Sequence, residues 1–221
     1  PAAISGVSGG AIVGAFYCNG YTPQEIIKLI KDTPILKVFS PSWGAGLFKM
    51  DRVEKVFEDY LKIKDFEGLK LPLFITACDI NLAENIAFSE GDIIKPLLAS
   101  CAVPPLFKPI AYKGRKLADG GIINNLPVEA VLGYEEILGI NVNIINPDAS
   151  IDSKSNYAER AVDIIVNNNI KQSIAQCTLY MEPPEMKNFS LTDIGKADEM
   201  FAVGYDYAKE NIALISELMV S

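Results

Sequence analysis

The chain has no histidine in its 221 residues. No imidazole can therefore act as general base, which excludes most serine hydrolases at once. Positive charge is also in deficit: 20 Lys and Arg face 28 Asp and Glu, a formal charge of -8. Such a surface repels nucleic-acid phosphates, so no nucleic-acid partner is expected. It also disfavours electrostatic adsorption to anionic lipid, while leaving contact through an apolar patch open. No apolar run reaches 18 residues, and no basic-then-apolar leader is present, so neither a spanning helix nor a signal segment is expected. The four cysteines, Cys18, Cys78, Cys101 and Cys177, are scattered without a CxxC pair. Cys78 and Cys101 sit in apolar surroundings and read as small buried hydrophobes. Free thiols fit a cytoplasmic setting, peripheral to a membrane if the substrate is lipid. No carboxylate cluster has metal-binding spacing, and no metal or other cofactor is expected.

What is present begins with Gly6-Val7-Ser8-Gly9-Gly10, a Gly-x-Ser-x-Gly frame. Alone it arises by accident in about one chain of this length in fifteen. Serine is also a common helix N-cap, and a helical pattern follows through Ile12, Ala15 and Phe16. The two readings are compatible, because a serine nucleophile on a strand-to-helix turn also sits at a helix N-terminus. There the helix dipole and the Gly9 N–H favour a developing oxyanion. Without histidine, the base for such a serine must be a carboxylate or a lysine.

The second constellation is Asp119-Gly120-Gly121, running on to Asn125 and Pro127. Asp-Gly-Gly is first of all a turn. Apolar flanks at Leu117-Ala118 and Ile122-Ile123 hold it against a core, and two glycines let another backbone approach the aspartate closely.

Strand and helix signals alternate, indicating an α/β sandwich around a mainly parallel sheet. Expected strands are a short one ahead of Gly6, then residues 72–80, 85–89, 110–117, 136–145 and 178–181. Expected helices follow Ser8, open at Thr22 with a Thr22/Glu25 capping box, and open again at Asp51 with the same logic. Others cover 93–101 up to the stop at Pro104-Pro105, 127–132, 157–174 and, as one long helix, 197–219. The Asn167-Asn168-Asn169 run reads as a solvated helix end. Phe39 to Phe48 reads as an irregular connection tucked on the core, with a lid or lipid-touching loop as the second reading. With neither repeat nor linker, residues 1–221 are expected to form a single domain.

Three segments together resemble the bacterial branch of the patatin-like phospholipase family. Gly6-Val7-Ser8-Gly9-Gly10 matches its nucleophile turn. Ala99-Ser100-Cys101-Ala102-Val103-Pro104-Pro105-Leu106-Phe107-Lys108-Pro109 matches its Ala-Ser…Pro…Phe-x-Pro segment, and Asp119-Gly120-Gly121 matches its Asp-Gly-Gly/Ala motif. The resemblance implies a three-layer α/β/α fold and a Ser-Asp dyad, with Ser8 as nucleophile and Asp119 as base. It implies an acyl-enzyme mechanism on phospholipid, lysophospholipid or another fatty-acyl ester, with transient contact at a membrane surface. Gly6, Gly9, Gly10, Gly120 and Gly121 would shape the two turns and the oxyanion site. One departure stands beside the match: the family's glycine-rich Gly-Gly-Gly-x-Arg/Lys-Gly loop, which precedes the nucleophile turn, has no counterpart in this sequence. The chain opens at Pro1, without methionine, and is expected to be N-terminally incomplete, lacking that loop and the first strand. The alternative reading is a catalytically inactive lipid-binding or regulatory protein of the same fold. A conventional α/β-hydrolase or acyltransferase ranks third, since both normally need a histidine.

Overall fold

The computed structural model describes residues 1–33, 50–190 and 193–218. The Phe39 to Phe48 segment lies outside the described residues. The chain divides into two compact units, Pro1–Ile123 and Asn124–Ser221.

The first unit is built on a five-stranded mixed sheet. Strand β1 (Ile4–Gly6) runs parallel to β2 (Leu73–Asp79), with Ile4 opposite Leu73 and Gly6 opposite Ile75. On its other edge β2 pairs antiparallel with β3 (Glu84–Phe88), β5 (Arg115–Asp119) pairs antiparallel with residues 77–79 of β2 on the same edge as β1, and β4 (Ile110–Tyr112) closes a hairpin with β5. The α/β class expected from the sequence stands. Its mainly parallel character does not, because only β1–β2 is parallel among these pairings. The cause lies in the connections: residues 80–83 and 113–114 are too short for a crossover, so they turn the chain straight back.

Helix α1 (Gly9–Cys18) follows β1, as the periodicity predicts, and buries Ala11, Ile12, Ala15 and Phe16 against the sheet. Helix α2 (Pro23–Asp32) opens on the predicted capping box, with the Thr22 hydroxyl accepting from Glu25 N–H and the Glu25 carboxylate accepting from Thr22 N–H. Helix α3 (Asp51–Tyr60) corrects one expectation. Met50, not Asp51, takes the N-cap position, and no side chain caps it. Glu54 is instead drawn to Lys95 as an ion pair. The stripe Val53, Val56, Phe57 and Leu61 is buried as its spacing predicts, while Tyr60 at the stripe's edge is exposed. Helix α4 (Ile94–Ser100) buries Ile94, Pro96, Leu97, Leu98 and Ala99 together with the Ser100 hydroxyl that closes it.

In the second unit, β6 (Leu138–Ile140) pairs parallel with β7 (Leu179–Met181) over a small core of Leu126, Val128, Ile137 and Ile170. The strand expected over 136–145 is shorter than its apolar run. Asn141 turns the chain by accepting from Asn143 N–H through its own side chain, a local bond that competes with strand pairing. Helices α5 (Lys154–Asn168) and α6 (Lys171–Ile174) follow. The Asn167-to-Asn169 run is more than a solvated end: the Asn169 side chain accepts the Asn125 N–H, and Asn167 and Asn168 donate to carbonyls one turn back. The single terminal helix expected over 197–219 is broken into α7 (Ala197–Glu210) and α8 (Ile212–Glu217). At the break Asn211 keeps the helical backbone bond to the Tyr207 carbonyl, and its side chain donates to the same oxygen. Among the described residues no helix is long and apolar enough to cross a membrane.

Candidate active site

The site forms where β1 hands over to α1. Ser8 holds φ 51° and ψ −124°, a region that costs a residue with a Cβ about 1–3 kcal/mol unless its surroundings impose it. The surroundings do impose it. Gly10 N–H donates to Val7 C=O at 2.9 Å, and Ala11 and Ile12 N–H reach Ser8 C=O at 3.0 and 3.1 Å, starting α1 immediately after the turn. The turn is tight enough that a Cβ on Gly6 would lie 2.6 Å from the Gly10 carbonyl carbon. Gly9 and Gly10, by contrast, face open space.

This contrast separates the glycines of the frame. Gly6→Ala is expected to lower stability by at least about 3 kcal/mol, the scale of a backbone forced out of place. Gly10→Ala, at a helical position with room for a methyl group, is expected to be neutral or stabilising by up to about 1 kcal/mol. Thermal denaturation of the two variants checks both values.

Asp119 ends β5, opposite Ala77 of β2. Its N–H donates to the Ala102 carbonyl at 3.1 Å. One carboxylate oxygen accepts from Gly121 N–H at 2.8 Å, and the Ser8 side chain lies close enough to the same carboxyl group to lower its pKa. Gly120 lies against Thr76, where an added Cβ would come within 3.0 Å of the Thr76 carbonyl oxygen. The two predicted site residues, some 110 positions apart in sequence, are therefore side by side.

Asp119 is 4% exposed. Burial pushes its pKa up to about 6, and the bond from Gly121 N–H and the nearby Ser8 side chain pull it part of the way back. A carboxyl group in that range is still ionised at neutral pH yet far more basic than a solvated aspartate. The neighbouring thiols of Cys78 and Cys101 are both pushed upward, chiefly by burial, then by the Asp79 and Asp119 charges at Cys78 and the Asp119 charge at Cys101, so they stay neutral. Cys78 and Cys101 are buried, as expected from their apolar flanks.

Sequence reasoning missed the supports of this pair. Ser100 is fully buried, accepts the Ser8 N–H at 2.8 Å and donates to the Thr76 carbonyl at 2.7 Å. The Cys101 thiol reaches the Ser8 carbonyl oxygen at 3.8 Å. The available signal was a serine closing the apolar run Pro96-Leu97-Leu98-Ala99. Because Ser100 occupies the Ser8 N–H, the oxyanion donor that the turn can offer is the N–H of Gly9, in the first turn of α1 where helix N–H groups lack intrahelical acceptors.

A family model described as patatin-like phospholipase matches residues 1–132, the stretch that holds Ser8, Ser100 and Asp119. The chain belongs to the patatin-like phospholipase family. Membership sets it among lipid hydrolases at the level of the family. An uncharacterized NTE family protein of Mycobacterium tuberculosis is 29% identical over 149 residues, covering 66% of this chain and 41% of that protein. Human patatin-like phospholipase domain-containing protein 6 is 26% identical over 250 residues, covering 93% of this chain but 18% of the human protein. A probable lipid hydrolase of invertebrate iridescent virus 6 is 28% identical over 152 residues, with 58% of this chain and 52% of the viral protein covered. The patatin-like chain thus spans only part of the length of these relatives.

Proposed function

We propose that the protein hydrolyses fatty-acyl esters, phospholipids or lysophospholipids, by a Ser8-Asp119 dyad through an acyl-enzyme. The observation that carries this reading is the proximity of Ser8, strained at the head of α1, to a buried carboxyl group of raised basicity. Asp119 takes the hydroxyl proton as Ser8 Oγ attacks the ester carbonyl. The tetrahedral oxyanion is met by the Gly9 N–H at the positive end of α1. Collapse expels the alcohol portion, which receives the proton from Asp119, and leaves the acyl group on Ser8. A water molecule, deprotonated by the same carboxylate, then releases the fatty acid and restores the serine. Asp119 serves both half-reactions, so no histidine is required.

Family membership and the lipid-hydrolase name of the viral relative support an ester of a fatty acid as substrate. The family's glycine-rich loop, which the sequence does not contain, would supply further oxyanion donors, and one such donor is worth about 100- to 1,000-fold in rate.

Incubation with phosphatidylcholine and lysophosphatidylcholine vesicles, with released fatty acid measured by mass spectrometry, checks this reading. Fatty-acid release is expected from at least one of the two lipids. A folded sample that binds vesicles but releases nothing would favour the lipid-binding alternative.

A further inference from the structure

Three consecutive residues at the C-terminal end of α4 touch both halves of the site. Ser100 Oγ accepts the Ser8 N–H at 2.8 Å. The Cys101 thiol donates to the Ser8 carbonyl oxygen at 3.8 Å. The Ala102 carbonyl accepts the Asp119 N–H at 3.1 Å. The same Ser100 hydroxyl is tied to the central strand through the Thr76 carbonyl at 2.7 Å, and Thr76 in turn packs on Gly120 with no room for a side chain between them.

We infer that Ser100-Cys101-Ala102 is a bracket that sets the Ser8-Asp119 geometry, with Ser100 as its principal positioning residue. The inference rests on the dyad reading above. The physical case is that both backbone polar groups of a residue at φ 51° are engaged by one rigid, buried helix end. Ser8 therefore cannot relax towards an ordinary turn without breaking buried hydrogen bonds. The bond from Ala102 makes the same helix end the reference point for Asp119, so one element defines the separation of hydroxyl and carboxyl. Ser100 never reaches the substrate. It is fully buried, and its two hydrogen bonds are spent on Ser8 and Thr76. The weak thiol contact of Cys101 is the lesser part, since a sulfur donor at that distance holds less firmly than a hydroxyl.

Two measurements on the wild-type protein and Ser100→Ala test this. The first is amide hydrogen exchange at Ser8, which the bracket predicts to be slow in the wild type and at least tenfold faster in the variant. The second is the rate of Ser8 labelling by a fluorophosphonate ester as a function of pH. Misplacement of the hydroxyl is expected to slow labelling about 10- to 100-fold. It is also expected to raise the pH midpoint above the wild-type value, because Asp119 then loses the nearby Ser8 side chain that lowers its pKa. Cys78 and Cys101, the thiols facing the carboxyl, remain neutral across that range and do not confuse the midpoint. Ser100→Thr, which keeps the hydroxyl, is expected to label within threefold of wild type with an unmoved midpoint. Should Ser100→Ala not fold, the near-isosteric Ser100→Cys, with its weaker acceptor, takes its place and is expected to show the same changes at smaller amplitude. Unchanged labelling rate and midpoint in a folded variant overturn the positioning role alone. A wild-type protein that is never labelled at Ser8 overturns the dyad reading and the positioning role with it.

Discussion

Ser8→Ala is expected to reduce ester hydrolysis by at least ~10,000-fold while leaving the fold intact, the scale seen when a nucleophile that works as a unit with its base is removed. The loss is large because the neighbouring Ser100 hydroxyl cannot replace it: Ser100 is tied to two backbone groups and lies fully buried. The fold should survive because the bonds that hold residue 8 run through its backbone N–H and C=O, which alanine keeps. The strain also stays, since alanine at φ 51° is no more comfortable than serine. Ser8→Gly should therefore be equally inactive but more stable than Ser8→Ala, by about 1 kcal/mol, because glycine adopts that region without a Cβ clash. Fatty-acid release and thermal denaturation, measured on both variants, separate the chemical role of the side chain from the conformational role of the position.

Asp119→Asn is expected to lower turnover roughly 1,000- to 10,000-fold and, at neutral pH, to make the protein more stable. The loss of turnover follows from removing the proton acceptor while keeping its shape. The gain in stability follows from the pKa. The carboxyl is raised from 3.8 to about 6 in the folded protein. Between pH 4 and 6 the folded state thus holds a proton that the unfolded chain has already released. Stability falls as pH rises through that window, and the full penalty of burying the charge is present at pH 7. A shift of this size corresponds to about 2–3 kcal/mol. Asparagine has no charge to bury, and its carbonyl can still accept the Gly121 N–H. The variant's advantage in urea denaturation should therefore be near 2–3 kcal/mol at pH 7 and vanish near pH 4. The same titration predicts that wild-type turnover rises with pH to a plateau, with its midpoint near pH 6. An advantage of the same size at both pH values would show that the ionised carboxyl is not what costs stability at this position.

Both residues of the proposed dyad stand out in the sequence because each rides on a local pattern. The Gly-x-Ser-x-Gly frame announces a strand-to-helix turn, and Asp-Gly-Gly a turn backed by apolar residues. Their proximity was not readable from spacing, since it depends on β1 and β5 meeting end to end along one edge of β2. It entered only through resemblance to a family. The strands were found, but their directions were not: hydrophobic pattern marks a buried strand without saying whether the next connection crosses over or turns back. Ser100 escaped because its role is spent on backbone groups 92 and 24 positions away. No periodicity carries such a pairing. The early end of β6 at Asn141 has a local cause, an asparagine side chain that accepts from the backbone two residues on and outcompetes the regular pattern around it.

The most direct test of the account is covalent labelling with a fluorophosphonate ester, followed by peptide mass mapping across a pH series. The account predicts a single adduct, on the peptide containing Ser8, formed at a rate that rises with pH around a midpoint near 6 and collapses in Asp119→Asn. An unlabelled folded protein, an adduct on another residue, or undiminished labelling of Ser8 in Asp119→Asn would contradict it.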